Sequence, residues 1–333
     1  MTDTELATKA PESDAQETRT TPSEAPAATA PRLSDHCTSS RPTPAGQSGT
    51  GEITTLGDID VYISKPADYP HTPSKLLLLL SSGTGIRSVN NQIQADRFAS
   101  QGYVVVMPDL FNGDPAPNTG NMMADEPTTP GSFLDTFKIK AAETAKTFLI
   151  DMWLARHTQE KVLPILYKVI DACKDEFADA VSTGGGIYAV GYCFGGRYIL
   201  LLGGERKEMP AWQGFSWGSP TSVPQDVEAG KGKTVGPFIK AGALAHPTMV
   251  SPEDFVGLKA PVTVVAVEND PMCPDEVRMG LEDYMSKNNV EHEVQVYPGV
   301  PHGFAVVGEY DDVNIQSAQS TAFEQMLKWI KEH

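Results

Sequence analysis

The sequence predicts an α/β fold: a mostly parallel twisted sheet with helices on both faces. Three observations predict it. From Gly51 onward, short apolar runs alternate with longer helix-like stretches, the order a parallel sheet needs because its strands are joined by crossovers. Runs such as Leu76–Leu80 and Tyr103–Met107 are continuously apolar, as suits strands covered on both faces. Residues able to do chemistry, Cys193, Asp270 and His302, fall just after such runs, where open parallel sheets gather their reactive groups.

The chain has 333 residues, enough for one large domain with a full core. Residues 1–50 are rich in Thr, Ser, Pro and Ala and poor in large apolar side chains. Such a segment cannot offset its ordering entropy by burial, so it is expected to be a disordered tail, with residues 51–333 the folded domain. It has neither the charge nor the apolar run of a secretory signal, and its acidic start argues against a mitochondrial presequence.

The elements follow in order. Strands are predicted at Asp60–Ser64 and Lys75–Ser81, then a helix at Asn91–Gln101 with Ile93, Phe98 and Ala99 inward. A strand at Tyr103–Met107 leads into a polar loop, Asn112–Gly131. Lys138–Lys174 reads as helical with a break near Pro164. The segment Asn112–Ala172 also carries Met122, Met123, Phe133, Phe137, Phe148, Met152 and Trp153, an apolar stock for a pocket wall or for helix core. Gly186–Tyr192 is a strand, with a helix-like stretch at Arg197–Leu202. Further strands are predicted at Trp212–Trp217, Ala241–Ala245, Pro261–Val267 and Glu293–Tyr297. The chain closes with an amphipathic helix, Ile315–Lys331, burying Ala318, Phe323, Met326, Leu327 and Ile330.

Formal net charge is −17, which opposes binding to nucleic acid or anionic membranes. No apolar run approaches membrane-spanning length. Cys37, Cys173, Cys193 and Cys273 form no CxxC pair and no Cys/His metal spacing, so no zinc site, other metal or disulfide framework is expected. A reducing cytoplasm is the expected home.

Gly191-Tyr192-Cys193-Phe194-Gly195-Gly196 lies between a strand and a helix, the form of a nucleophile elbow with sulfur for oxygen. Alone, Cys193 reads better as a buried structural cysteine than as a reactive one. Asp270, in Glu268-Asn269-Asp270-Pro271, reads alone as a turn residue, and His302 sits in a Pro/Gly loop. Together they stand in the order nucleophile, acid, histidine, with 77 residues from Cys193 to Asp270 and 32 from Asp270 to His302. That is the chain order of the α/β-hydrolase fold. In it Cys193 attacks, His302 moves the proton and Asp270 fixes the imidazole. His246 competes as base but precedes Asp270, which ranks it as a strand-end structural or pocket-lining residue. Asp109 is expected to order its loop. His36, His71, His157, His292 and His333 have no supporting context.

At these residues the chain resembles the dienelactone hydrolase family. The elbow, Glu268-Asn269-Asp270-Pro271 and Pro301-His302-Gly303-Phe304-Ala305 look like its three motifs. Asn90-Asn91-Gln92, Ala95-Asp96-Arg97 and Pro108–Asp114 resemble its fungal branch. The resemblance covers roughly residues 50–333. It implies a cofactor-free Cys193–His302–Asp270 triad acting on lactones or related esters. It also implies an oxyanion hole from the N–H groups of Phe194 and Gly83, with Ser82, Thr84 and Val306 as substrate-binding candidates. Two positions depart from the family. Ser82 stands where the bacterial prototype has a glutamate that activates the thiol, and Val306 where it has an arginine for the substrate carboxylate. Cys193 is therefore expected to depend on His302 alone, and the resemblance reaches the chemistry further than the substrate.

The expected activity is hydrolysis of a small lactone or ester through an acyl-thioester, in fungal secondary metabolism or xenobiotic degradation, by a monomer or weak homo-oligomer. Lactam opening or acyl transfer on the same triad is an alternative. A noncatalytic binding protein or thiol sensor is another, motivated by Ser82.

Overall fold

The computed structural model describes residues 40–118, 133–207 and 234–333, with backbone alone for 133–143 and 207. The predicted strand Trp212–Trp217, the residues Met122 and Met123, and the expected tail as far as residue 39 lie outside the described residues, as do the side chains of Phe133 and Phe137.

Ten strands are described: β1 (Glu52–Leu56), β2 (Ile59–Ser64), β3 (Lys75–Leu80), β4 (Tyr103–Pro108), β5 (Tyr188–Tyr192), β6 (Arg206–Lys207), β7 (Thr234–Val235), β8 (Ala241–Ala245), β9 (Val262–Val267) and β10 (His292–Tyr297). Eight form one sheet in the order β1-β2-β4-β3-β5-β8-β9-β10, and β6 pairs with β7 alone. The pairs β1–β2 and β2–β4 are antiparallel, and the others in the large sheet are parallel. This is the α/β-hydrolase fold expected from the sequence.

The helices are α1 (Val89–Ala99), α2 (Phe133–Arg156), α3 (Gln159–Glu176), α4 (Ala178–Gly184), α5 (Phe194–Leu202), α6 (Pro252–Phe255), α7 (Asp275–Lys287) and α8 (Val313–Glu332). They cover both faces of the sheet. Side chains alternate along a strand, so Leu76, Leu78 and Leu80 of β3 join Leu166 and Ile170 of α3 and Ile199 of α5 in one core. Leu77 and Leu79 point the other way and meet Phe98 of α1 and Phe323, Met326 and Ile330 of α8. That two-sided packing explains a run of five leucines with no polar interruption. Ala318 and Leu327 of α8 are partly buried against the second core.

Three expectations are corrected. The long helix breaks at His157 and Thr158, not at Pro164, which sits inside α3. Thr158 takes an extended conformation as N-cap, while a proline near a helix start removes only one ladder bond. Six elements were not anticipated: β1, whose side chains are mostly exposed, the short β6, β7 and α6, and α4 and α7, which bury two residues each. Residues 40–50, assigned by composition to the tail, are held on the domain. Thr43 Oγ1 donates to Asn90 Oδ1 at 2.7 Å, Asn90 Nδ2 to the Arg41 carbonyl at 2.7 Å, and Thr50 N–H to Asp96 at 2.7 Å. Hydrogen bonds, not apolar burial, hold this segment, and composition does not register them.

Candidate active site

The turn between β5 and α5 leaves room for very little. A Cβ on Gly195 would collide with the Leu80 carbonyl, and one on Gly191 would lie 2.6 Å from the Gly195 carbonyl oxygen. Glycine at both positions lets the strand turn sharply into the helix. Cys193 at the apex has φ 50° and ψ −114°, a conformation that non-glycine residues seldom adopt and that persists only where surrounding structure enforces it. The enforcement is visible. Cys193 N–H donates to the Ala245 carbonyl at 3.1 Å, Thr248 N–H to the Cys193 carbonyl at 3.1 Å, and Gly195 N–H to the Ser81 carbonyl at 3.1 Å. Phe194 opens α5, so its N–H has no intrahelical acceptor.

Asp270 follows β9 and His302 follows β10, the adjacent parallel strand. Both side chains are buried, and His302 Nδ1 lies 2.7 Å from Asp270 Oδ2. Asp270 Oδ1 accepts from Met272 N–H at 2.9 Å, which fixes the carboxylate plane. Nε2 is buried with no nitrogen or oxygen partner among the described residues, and it is the Cys193 sulfur that it meets. Burial disfavours charge on this ring, but the bond to Asp270 and the sulfur opposite outweigh it and raise the pKa from 6.5 to about 9. At neutral pH His302 holds its proton. Burial pushes the Cys173 and Cys273 thiols up to about 12, which keeps both protonated.

Ser82, Thr84, Asn90, Cys193, His246, Gly303, Val306, Val307, Tyr310, Ser40 and Arg41 line one pocket. All three substrate-binding candidates, Ser82, Thr84 and Val306, are there. Gly83 is buried between Ser82 and Thr84, and its carbonyl accepts from Ala116 N–H at 2.8 Å. Ser82 Oγ and Thr84 Oγ1 are 2.9 Å apart, and buried Asn91 donates to Thr84 at 3.0 Å and to the Gly85 carbonyl at 2.8 Å. Ser82 is thus tied into a hydroxyl–amide network. His246 follows β8 and lines the pocket, with its ring edge-on to His302 at 5.0 Å between centroids. Asp109 orders its loop as expected, accepting from Phe111 N–H at 3.0 Å and Gly113 N–H at 2.6 Å. Trp153 is core: it packs on Phe194 at 5.4 Å and does not line the pocket, whereas Phe148 and Met152 are exposed.

Sequence reasoning did not assign Gln94. Its Nε2 donates to Tyr192 OH at 2.8 Å, and its Oε1 accepts from Val307 N–H at 3.1 Å. One buried amide thus ties the strand before Cys193 to the loop carrying His302. Arg41 and Tyr310 were also unassigned; nothing in their sequence context marks them. Among the described residues no three His, Cys, Asp or Glu side chains gather as a metal site, and no helix is long and apolar enough to cross a membrane.

The model of the dienelactone hydrolase family matches residues 59–333. The chain belongs to the dienelactone hydrolase family. It is 26% identical over 283 residues to Hydrolase pyvD of Aspergillus violaceofuscus, covering 85% of this chain and 90% of that protein. It is 29% identical over 283 residues to Hydrolase tropI of Talaromyces stipitatus, with the same coverages of 85% and 90%. The propionate-bound esterase Est2 of Thermogutta terrifontis shares the fold, with a TM-score of 0.53 at 15% identity over 86% of this chain and 96% of that one. The protein is a hydrolase of the ester- and lactone-cleaving type.

Proposed function

We propose that this hydrolase opens a lactone or carboxylic ester of a small organic molecule through an acyl-thioester on Cys193. The observation that carries the reading is Cys193 held at φ 50° opposite a buried His302 whose Nδ1 is bound to Asp270 at 2.7 Å. The Cys193 thiolate attacks the carbonyl carbon, a C–S bond forms, and the π pair moves onto oxygen. The N–H groups of Phe194 and Gly83 receive that oxyanion. As the pair returns, the C–O bond breaks and the leaving alkoxide takes the proton from His302 Nε2. His302, now neutral, accepts a proton from water. The hydroxide adds to the thioester and the acid leaves, restoring the thiolate. Asp270 keeps the imidazole oriented and offsets its charge throughout. No cofactor enters these steps.

His302, held protonated, supplies the activation that Ser82 cannot, since a hydroxyl is a poor base. Ser82, Thr84 and Val306 would meet the substrate. A thioester can also pass its acyl group to an amine or alcohol, so acyl transfer and lactam opening share every step before water enters. A binding role alone would leave the strained cysteine and its buried histidine unused. A reducing cytoplasm would keep the thiol available.

The test is intact mass spectrometry after brief exposure to 4-nitrophenyl acetate and to a panel of lactones. An acetyl adduct on Cys193, absent from Cys193→Ala, is expected. Full turnover by Cys193→Ala on every substrate that the wild type opens would overturn the proposal.

A further inference from the structure

We infer that His246 bars substrates with a long apolar chain beside the scissile carbonyl, by closing the Cys193 pocket against a second, apolar cavity. The inference rests on the hydrolase reading above. The second cavity is lined by Val250, Val264, Ala266 and Leu281, and Asp270 borders it. Cys193 lines the first pocket and not the second. Among the described residues, His246 is the one shared by both linings. The charges at the second cavity are already matched, Asp270 by His302 at 2.7 Å and Arg278 by Asp275 at 3.1 Å. The group that suits it is therefore neutral and apolar.

The backbone is strained to put a ring at this point. His246 has φ 36°, a left-handed conformation that non-glycine residues seldom adopt. Its N–H donates to the Val265 carbonyl at 2.7 Å, and the preceding Ala245 carbonyl accepts from Cys193 N–H at 3.1 Å. The turn is thus clamped between β9 and the elbow. The His246 ring is wholly buried. Between centroids it lies 5.0 Å from His302, 6.0 Å from Phe304 and 6.2 Å from Tyr192. A side chain packed by three rings in a dense interior cannot swing aside to admit a chain. Glycine would satisfy this φ without strain, so what histidine adds is the bulk of its ring. A long chain on the substrate meets that ring instead of Val264 and Leu281 beyond it.

The experiment uses the full chain and two ester pairs. 4-Nitrophenyl hexanoate and acetate differ on the acyl side, hexyl and methyl acetate on the alcohol side. When His246→Gly opens the cavity, the ratio of kcat/KM for the long over the short ester is expected to rise at least about tenfold in one pair, since apolar pockets discriminate by methylene count. Glycine also relieves the positive φ, which favours folding of this variant. His246→Phe restores the bulk without the ring nitrogens and is expected to keep the wild-type ratios. Both ratios unchanged in His246→Gly overturn the inference, even if every rate drops, because that marks a ring that only packs on His302. A ratio raised as much in His246→Phe also overturns it. Binding gives a readout that needs no turnover. Hexanamide is expected to raise Tm more than acetamide does in the Cys193→Ala, His246→Gly double variant, and not in Cys193→Ala alone. No such difference, or the same difference in both proteins, overturns it too. Failure of the hydrolase reading would show separately, as no adduct on Cys193 while hexanamide binding to the double variant persists.

Discussion

Asp270 and His302 face each other across the ends of two adjacent parallel strands, 2.7 Å apart and almost wholly removed from solvent. At that separation the carboxylate decides both the tautomer and the charge of the ring. In Asp270→Asn the side chain still fits, but a neutral amide no longer favours the imidazolium. A fall in kcat of roughly 10²–10⁴-fold is expected, with the pH midpoint for Cys193 alkylation moving upward. Steady-state kinetics and iodoacetamide rates across pH check this; an unshifted alkylation profile would count against the ion-pair account.

The raised pKa of His302 has a stability consequence with a definite sign. The folded protein holds this proton more tightly than the unfolded chain does, where the ordinary value is about 6.5. The stabilisation is therefore fully present below about pH 6.5 and is lost as pH rises through about 9. Thermal scans from pH 6 to 10 are expected to show Tm falling over the upper part of this range, and His302→Gln is expected to flatten that fall.

Gly195→Ala is expected to destabilise the fold by about 3 kcal/mol, because its methyl would press on the Leu80 carbonyl in the centre of the sheet. Urea titration measures it. If the elbow instead shifts to accept the methyl, Cys193 moves with it and alkylation slows at full stability. Wild-type values of both quantities would refute the packing argument.

Gln94→Leu removes the acceptor of Val307 N–H and the donor to Tyr192 OH, leaving two buried polar groups unmatched. A loss of about 1–3 kcal/mol is expected. Because Val307 belongs to the loop carrying His302, kcat is expected to fall even in protein still fully folded at the assay temperature.

Asp254 supplies a contrast away from the chemistry. It binds Arg197 through two oxygens at 2.8 and 2.9 Å and also accepts from Ser251 N–H at 2.8 Å. Asp254→Ala strands a largely buried guanidinium, and about 3–5 kcal/mol of stability is expected to go. The alkylation rate of Cys193 in the folded fraction is expected to stay at its wild-type value.

The elements legible in the sequence were those whose burial leaves a periodic or continuous apolar trace. The strands β3, β4, β5, β8 and β9 were found to within a residue or two because nearly every side chain in them is buried. The amphipathic helix α8 was found for the same reason. Helix α7 buries only Leu281 and Met285 and so resembles a polar loop. The proposed catalytic residues were legible through chain order, since Cys193, Asp270 and His302 each follow a parallel strand of one sheet. Gln94 and Arg41 were not, because their partners lie in distant segments: Gln94 bonds Val307, 213 residues away. Composition marked residues 40–50 as too polar to fold, and it is polar contacts that hold them.

Helix α8 reaches back to the histidine loop through Gln319, whose Nε2 donates to the Phe304 and Val306 carbonyls at 2.9 and 2.8 Å. The loop is thus finished by a residue that follows it in the chain. A polypeptide still emerging from the ribosome carries Cys193 long before it carries His302 and its brace. On the proposed chemistry, the thiol has no base beside it during synthesis until His302 and the first turns of α8 have followed.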